Sequence, residues 1–125
     1  MTKRDRKPYE IKTKIAGVSF DNDDGSSRQE IIRRRVRSGQ TLRLIREPGN
    51  KYDRNAIGVW VEWKRPLLGM KRAQVGHIGS HISAEIAPLI DAGWTAEATV
   101  MSITGGTRRK NARGVNIKIN MIPPE

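Results

Sequence analysis

Between Gln40 and Trp63 the chain reads QTLRLIREPGNKYDRNAIGVWVEW, and this stretch leaves few folds open. Leu42 and Leu44 alternate with Thr41 and Arg43, the period of a half-buried strand. Pro48, Gly49, Asn50, Asp53 and Asn55 then crowd a short segment with turn formers, so the backbone must bend and hold an irregular loop. Ile57, Val59, Val61 and Trp63 resume the alternation with branched and aromatic side chains suited to a pleated surface. Strand, loop, strand is therefore the organising unit. The loop gathers Arg46, Glu47, Lys51, Tyr52, Asp53, Arg54 and Asn55, and a loop pinned between strands is a place where a binding site is easily built. Asp and Asn there can equally serve their own backbone, but a turn needs no aromatic face, whereas a nucleic-acid site uses a ring to stack a base and a carboxylate to accept from a hydroxyl.

Charge narrows the partner. Lys and Arg number 24 against 13 Asp and Glu, giving +11 over 125 residues and an isoelectric point near 10.7. Such an excess suits a polyanion, because each neutralised phosphate releases counterions. A membrane surface is a weaker match, since the Trp residues lie outside the Arg-rich segment that would have to form the amphipathic helix. The length fits one domain. Cysteine is absent, which excludes disulfides and thiolate metal sites, and no apolar run is long enough to span a bilayer. The start, Met1 to Lys14, has no apolar segment of the kind that directs export, so a cytoplasmic location is expected.

In chain order, residues 1–8 read as a flexible basic arm and 9–125 as a single domain. Ile11 to Phe20 is predicted as the first strand, with Gly17 marking a bulge or a close backbone approach. Asp21 to Ser26 is an acidic turn without the bidentate Glu of a calcium loop, so no metal is expected. Ser27 with Glu30 forms a capping box that opens a short basic helix, ended by Gly39. Its Arg33, Arg34 and neighbouring arginines read as phosphate contacts. Lys64 to Arg72 is a hairpin connection and Ala73 to Ile78 a strand, in which Gly76 lets another backbone come near. A second helix is capped by Ser80 or Ser83, packs Ile82, Ile86, Leu89 and Ile90 inward, and is kinked or shortened at Pro88. Trp94 to Thr104 and Gly114 to Ile122 form a closing hairpin around a cationic tip that holds Arg108 and Arg109. Six strands and two short helices fit a mainly β, partly open barrel of the OB-like kind.

The runs REPGNKYDRNAIGVWV and QVGHIGSHISAEIAPLIDAG resemble the HIRAN domain family, and the similarity extends over roughly residues 11 to 122. The resemblance implies a small OB-like barrel that binds DNA, in the best-understood members a single-stranded 3′ end. It implies that Tyr52 and Asp53 line the pocket for the last nucleotide, with Phe20 and His77 joining them and Asp53 accepting from the terminal hydroxyl. Ser19 and Ser80 stand where family members place basic residues, so those phosphate contacts pass to Lys51, Arg54 or Arg46. With Asn55 these residues make the expected nucleic-acid site.

No nucleophile and base or metal set is visible: His77 and His81 lie four apart without a Cys or Glu to complete them, so catalysis and a cofactor are not expected. The expected partner is DNA, with a nuclease or helicase as a protein partner and a monomer or weak oligomer as the state. Two other readings stay open, a sequence-indifferent duplex or RNA binder and an adaptor for an acidic protein.

Overall fold

The computed structural model describes residues 6–125; the basic arm expected over 1–8 lies largely outside them. Six strands, β1 (Tyr9–Lys14), β2 (Thr41–Arg46), β3 (Ile57–Arg65), β4 (Gly69–His77), β5 (Thr95–Thr104) and β6 (Gly114–Ile122), accompany two helices, α1 (Arg28–Arg35) and α2 (Ser80–Asp91). The strands pair antiparallel throughout in the order β1-β6-β5-β2-β3-β4. Among the described residues, only an isolated bridge from Ala16, just past β1, joins the two outer edges. Ala16 N–H donates to His77 O at 2.8 Å and His77 N–H returns to Ala16 O at 2.9 Å, so the sheet curls into a barrel that stays partly open. Gly76 makes this possible, because a Cβ there would lie 2.4 Å from Ala16 O.

Alternation sets the core. Ile57, Val59 and Val61 of β3 and Val115, Ile117, Ile119 and Met121 of β6 are fully buried. Ile86 and Ala87 of α2 and Ile32 of α1 close on them, each aliphatic side chain removing apolar surface worth about 1.5–3 kcal/mol at the larger residues.

Several boundaries differ from the expectations. β1 ends at Lys14 rather than Phe20, since Gly17 enters the left-handed region at φ +71° and Phe20 N–H closes a turn onto Gly17 O at 3.2 Å. Helix α1 stops at Arg35 rather than at Gly39, because the β-branched Val36 is already extended (φ −101°, ψ 129°) while its N–H still reaches Ile32 O. Gly39 (φ +86°) serves the following turn. Ser27 accepts from Glu30 N as expected, but the Glu30 carboxylate turns to arginines instead of completing the box. Gly79, not Ser80 or Ser83, is the N-cap of α2, and the helix runs through Pro88 to Asp91. Finally, β4 begins at Gly69, which leaves only residues 66–68 as the turn.

Candidate nucleic-acid interface

The β2–β3 loop is rigid by construction. Asn50 Oδ1 accepts the N–H groups of Tyr52 and Asp53 at 2.9 and 3.1 Å, and its amide donates to Glu47 Oε1 at 3.0 Å. Asp53 Oδ1 accepts Asn55 N–H at 2.9 Å, an Asx turn, so one of its carboxylate oxygens is occupied by the loop itself. Arg46 fastens the base. Its guanidinium donates to Ala56 O (2.7 Å), Arg54 O (3.0 Å) and both oxygens of Asp91 in α2 (2.9 and 3.0 Å). On this bracing Tyr52 is held outward, 93% exposed.

Tyr52 and Lys51 stand at a cleft of about 1160 Å³ between this loop, the acidic turn, α1 and the β3–β4 ribbon. Two tryptophan–arginine pairs line it. Arg35 lies 4.5 Å from the centroid of the Trp63 ring, and Arg72 lies 5.2 Å from that of Trp60. Both distances are within the reach of a cation–π contact, and both guanidinium planes offer a stacking surface with a positive charge. The Trp60 indole N–H is buried and unpaired among the described residues. Lys71 of β4 and Arg34 of α1 add cations to the same walls.

Deeper in the cleft, Glu47, Gln74 and His77 make a polar cluster. His77 Nε2 lies 3.1 Å from Glu47 Oε1, and the Gln74 amide donates to Gly76 O (3.0 Å) and approaches Glu47 Oε2 (3.4 Å). Burial pushes the Glu47 carboxyl up, but hydrogen bonds from Asn50 and His77 and the attraction of the imidazole outweigh it, and the net shift is downward. Gly58 is the floor: a Cβ there would lie 2.5 Å from Glu47 Oε2 and 2.9 Å from the Trp60 nitrogen.

Of the residues expected at the site, Lys51, Tyr52, His77 and Arg34 line the cleft. Asp53, Arg54 and Asn55 follow in the same loop outside its lining. Arg46 is spent on Asp91 and the loop carbonyls, and is not a free phosphate contact. Arg33 and Arg34 both pair with Glu30, whose carboxyl these bonds hold down to about 2. Phe20, 71% exposed, and Ser19 lie in the turn after β1, outside the cleft lining. Ser80 opens α2 on an exposed position. Arg108 and Arg109 occupy an exposed loop between β5 and β6 that the cleft does not include. That loop is anchored by Gln29, whose amide donates to Arg113 O (2.9 Å) and accepts Arg113 N–H (2.7 Å).

The sequence reading missed Trp60, Trp63 and Arg72 as site residues, and had Arg35 as one of the phosphate-contacting arginines of α1 without its tryptophan partner. Trp60 sits between Val59 and Val61 on the opposite face of β3, so strict alternation already pointed it outward; what it faces depends on how β4 and α1 fold over it.

A family model described as HIRAN domain matches residues 8–120. A putative SWI/SNF-related matrix-associated actin-dependent regulator of chromatin subfamily A member 3-like 1 from Arabidopsis thaliana is 40% identical over 57 residues, which span 46% of this chain and 6% of that protein. The crystal structure of the HIRAN domain of human HLTF superposes with a TM-score of 0.58 at 20% identity, covering 90% of this chain and 74% of that one. A protein from Lactobacillus plantarum gives 0.59 at 22% identity, over 91% and 98% of the two chains. At these identities the superpositions speak for the fold.

Proposed function

This chain belongs to the HIRAN domain family, a family of DNA-binding domains, and from that premise we propose that it binds single-stranded DNA and takes up its 3′-hydroxyl end beside Tyr52 and Asp53. The observation that carries the reading is Tyr52: an aromatic ring almost fully exposed, on a loop fixed by Asn50 and Arg46, at the mouth of a cleft walled by arginine-stacked tryptophans. A hydrophobic ring held in water has no folding role there, whereas stacking a base uses its face directly. Asp53 has a second carboxylate oxygen, Oδ2, without a hydrogen-bond partner among the described residues, and an ionised acid can accept from a terminal hydroxyl. Lys51 supplies charge beside them, and Arg35, Arg72 and Lys71 extend it along the cleft for the preceding phosphates.

The role we propose is binding. The exposed Tyr52 ring and the arginine-stacked tryptophans of the cleft suit stacking and phosphate contacts, while Glu47 and His77 face one another within a polar cluster that also holds Asn50 and Gln74. The matched plant protein is by name a chromatin regulator many times longer than this chain; a setting in DNA repair, replication or restriction beside a nuclease or helicase partner is part of the proposal. The test is a binding series on labelled single-stranded, duplex and overhang DNA with 3′-hydroxyl and 3′-phosphate ends. A clear preference for single strands ending in a hydroxyl supports the proposal; equal binding to all of them, or a preference for RNA, overturns it. Incubation of the same DNA with Mg²⁺ checks that it stays intact.

A further inference from the structure

We propose that the tip of the β3–β4 ribbon is a wedge that enters a base step where duplex DNA meets a single strand. The proposal rests on the single-strand reading above and adds a duplex contact to it. Leu67 is 104% exposed, Leu68 68% and Met70 61%, which puts three large apolar side chains in water within four residues. Leu67 is also the one non-glycine among the described residues with a left-handed backbone, at φ +62°. Glycine or asparagine would take that conformation without the steric cost, so the turn gains nothing from leucine as a turn.

The tip is built to stand out and stay rigid. Register pairs continue past Val61–Ala73 through Trp63–Lys71 to Arg65–Gly69, which at about 3.3 Å per residue carries the turn roughly 13 Å beyond the last buried β3 residue, Val61. Pro66 stiffens the turn, and Arg65 braces it by donating to Leu68 O at 3.0 Å while accepting Leu68 N–H on its own carbonyl.

What covers these leucines is indicated by their surroundings. Lys64, Arg65, Lys71 and Arg72 flank the apolar tip on both strands, so its complement carries dense negative charge around an apolar gap. A duplex has that layout, with phosphates on the outside and stacked bases between them, and apolar side chains are known to unstack base steps in this manner. The placement agrees as well. Lys71 and Arg72 line the same cleft as Tyr52, so a strand that leaves the cleft along β4 arrives at the tip.

The experiment places 2-aminopurine in the first base pair of a duplex that carries a 3′ single-stranded tail. The intact chain should raise its emission on binding, the sign of an unstacked base. The double variant Leu67→Gly and Leu68→Ser should lose that rise and bind the junction roughly tenfold more weakly, as expected for two apolar side chains no longer buried. Its affinity for the tail alone and its melting temperature should hold, since both side chains are exposed and glycine suits φ +62°. An equal rise from both proteins, or none from the intact chain, overturns the wedge. So does junction binding indifferent to the double substitution together with tip-dependent binding to vesicles of phosphatidylcholine and phosphatidylserine, which would assign the tip to a membrane. Binding to the tail alone reads the single-strand proposal separately, and the junction emission reads the wedge whether or not the tail binds.

Discussion

Arg35 rests its guanidinium 4.5 Å from the Trp63 ring, while the adjacent Arg34 pairs with Glu30 at 2.8 Å. Neighbouring arginines of one helix are therefore not equivalent. Arg35 presents charge and a plane to the cleft, whereas Arg34, also on its lining, shares the Glu30 carboxylate with Arg33.

The arginines should accordingly separate by mutation. Arg35→Gln and Arg72→Gln are expected to weaken single-strand binding by about tenfold each, the scale of one lost stacking or charge-assisted contact. Arg33→Gln should cost markedly less, since its charge is already shared with Glu30. All three are exposed, so folding stability should move by less than about 0.5 kcal/mol. Fluorescence anisotropy with a parallel thermal melt checks this; equal losses at all three positions would mean that the helix acts only as a diffuse positive surface.

Ionic strength tests the phosphate contacts as a group. With Arg35, Arg72, Lys51 and Lys71 on the cleft and one or two more cations in reach, log K should fall with log salt at a slope of about −3 to −4, at roughly −0.7 per phosphate on a single strand. A flat dependence would remove the polyanion altogether.

Arg46 illustrates a residue whose chemistry, but not its use, is visible in the sequence. Its side chain is 14% exposed and donates to two loop carbonyls and to Asp91. Arg46→Ala should destabilise the fold by about 2 kcal/mol through the lost charge-assisted bonds to Asp91 and to the Arg54 carbonyl, while Ala56 O keeps the Glu47 N–H at 2.9 Å; urea unfolding measures this. DNA affinity should fall with it only as far as the loop loses its shape.

Acid should act through Glu47. Its carboxyl lies below the ordinary 4.5 in the folded chain, since hydrogen bonds from Asn50 and His77 outweigh the effect of burial. A depressed carboxylate stabilises the fold above its unfolded value and loses that contribution as pH falls through the folded one, so this part of the stability is present at neutral pH and fades below about 4.5. Glu47→Gln should cost on the order of 1 kcal/mol at pH 7 and flatten the acid limb of a stability profile taken from about pH 7 to pH 3. An unchanged profile would mean that the cluster contributes nothing net.

Period-two patterning made β2, β3, β5 and β6 legible within a residue or two, because one face of each strand meets the same core. Gly76 was legible for a similar reason, since a glycine inside an apolar strand signals a close backbone. The N-terminal cap of α1 at Ser27 was legible too, but its C-terminal end was not. Gly39 is a better stop signal than Val36, but the demand that Val36 be buried beside Ile32 ended the helix first. The site was half legible: Tyr52 and His77 belong to recognisable runs, whereas the pairings of Trp63 with Arg35 and of Trp60 with Arg72 bring α1 and β4 to β3 and leave no trace in local spacing. Glu30 shows the converse, a capping-box residue by spacing whose side chain was drawn to Arg33 and Arg34 by charge.

The most specific prediction concerns the strand end. Asp53 uses Oδ1 for its own turn and has Oδ2 to offer, so an ionised Asp53 can only accept. A terminal hydroxyl supplies the matching donor, while a terminal phosphate supplies none and brings like charge to within a few ångströms. A hydrogen bond to a charged group contributes about 1.5–3 kcal/mol net, so Asp53→Ala should weaken binding to 3′-hydroxyl ends by about tenfold or somewhat more and abolish the preference over 3′-phosphate ends. Tyr52→Ala should weaken both ends alike, since stacking a base is worth about 1–3 kcal/mol whatever terminates the strand. Asp53→Asn supplies a control for the loop: its amide oxygen can still accept Asn55 N–H, so it should keep the turn, retain weakened binding and lose most of the discrimination. Anisotropy titrations with the two end chemistries decide it. Equal affinities for both ends, unchanged in Asp53→Ala, would leave Asp53 with its turn as its whole role.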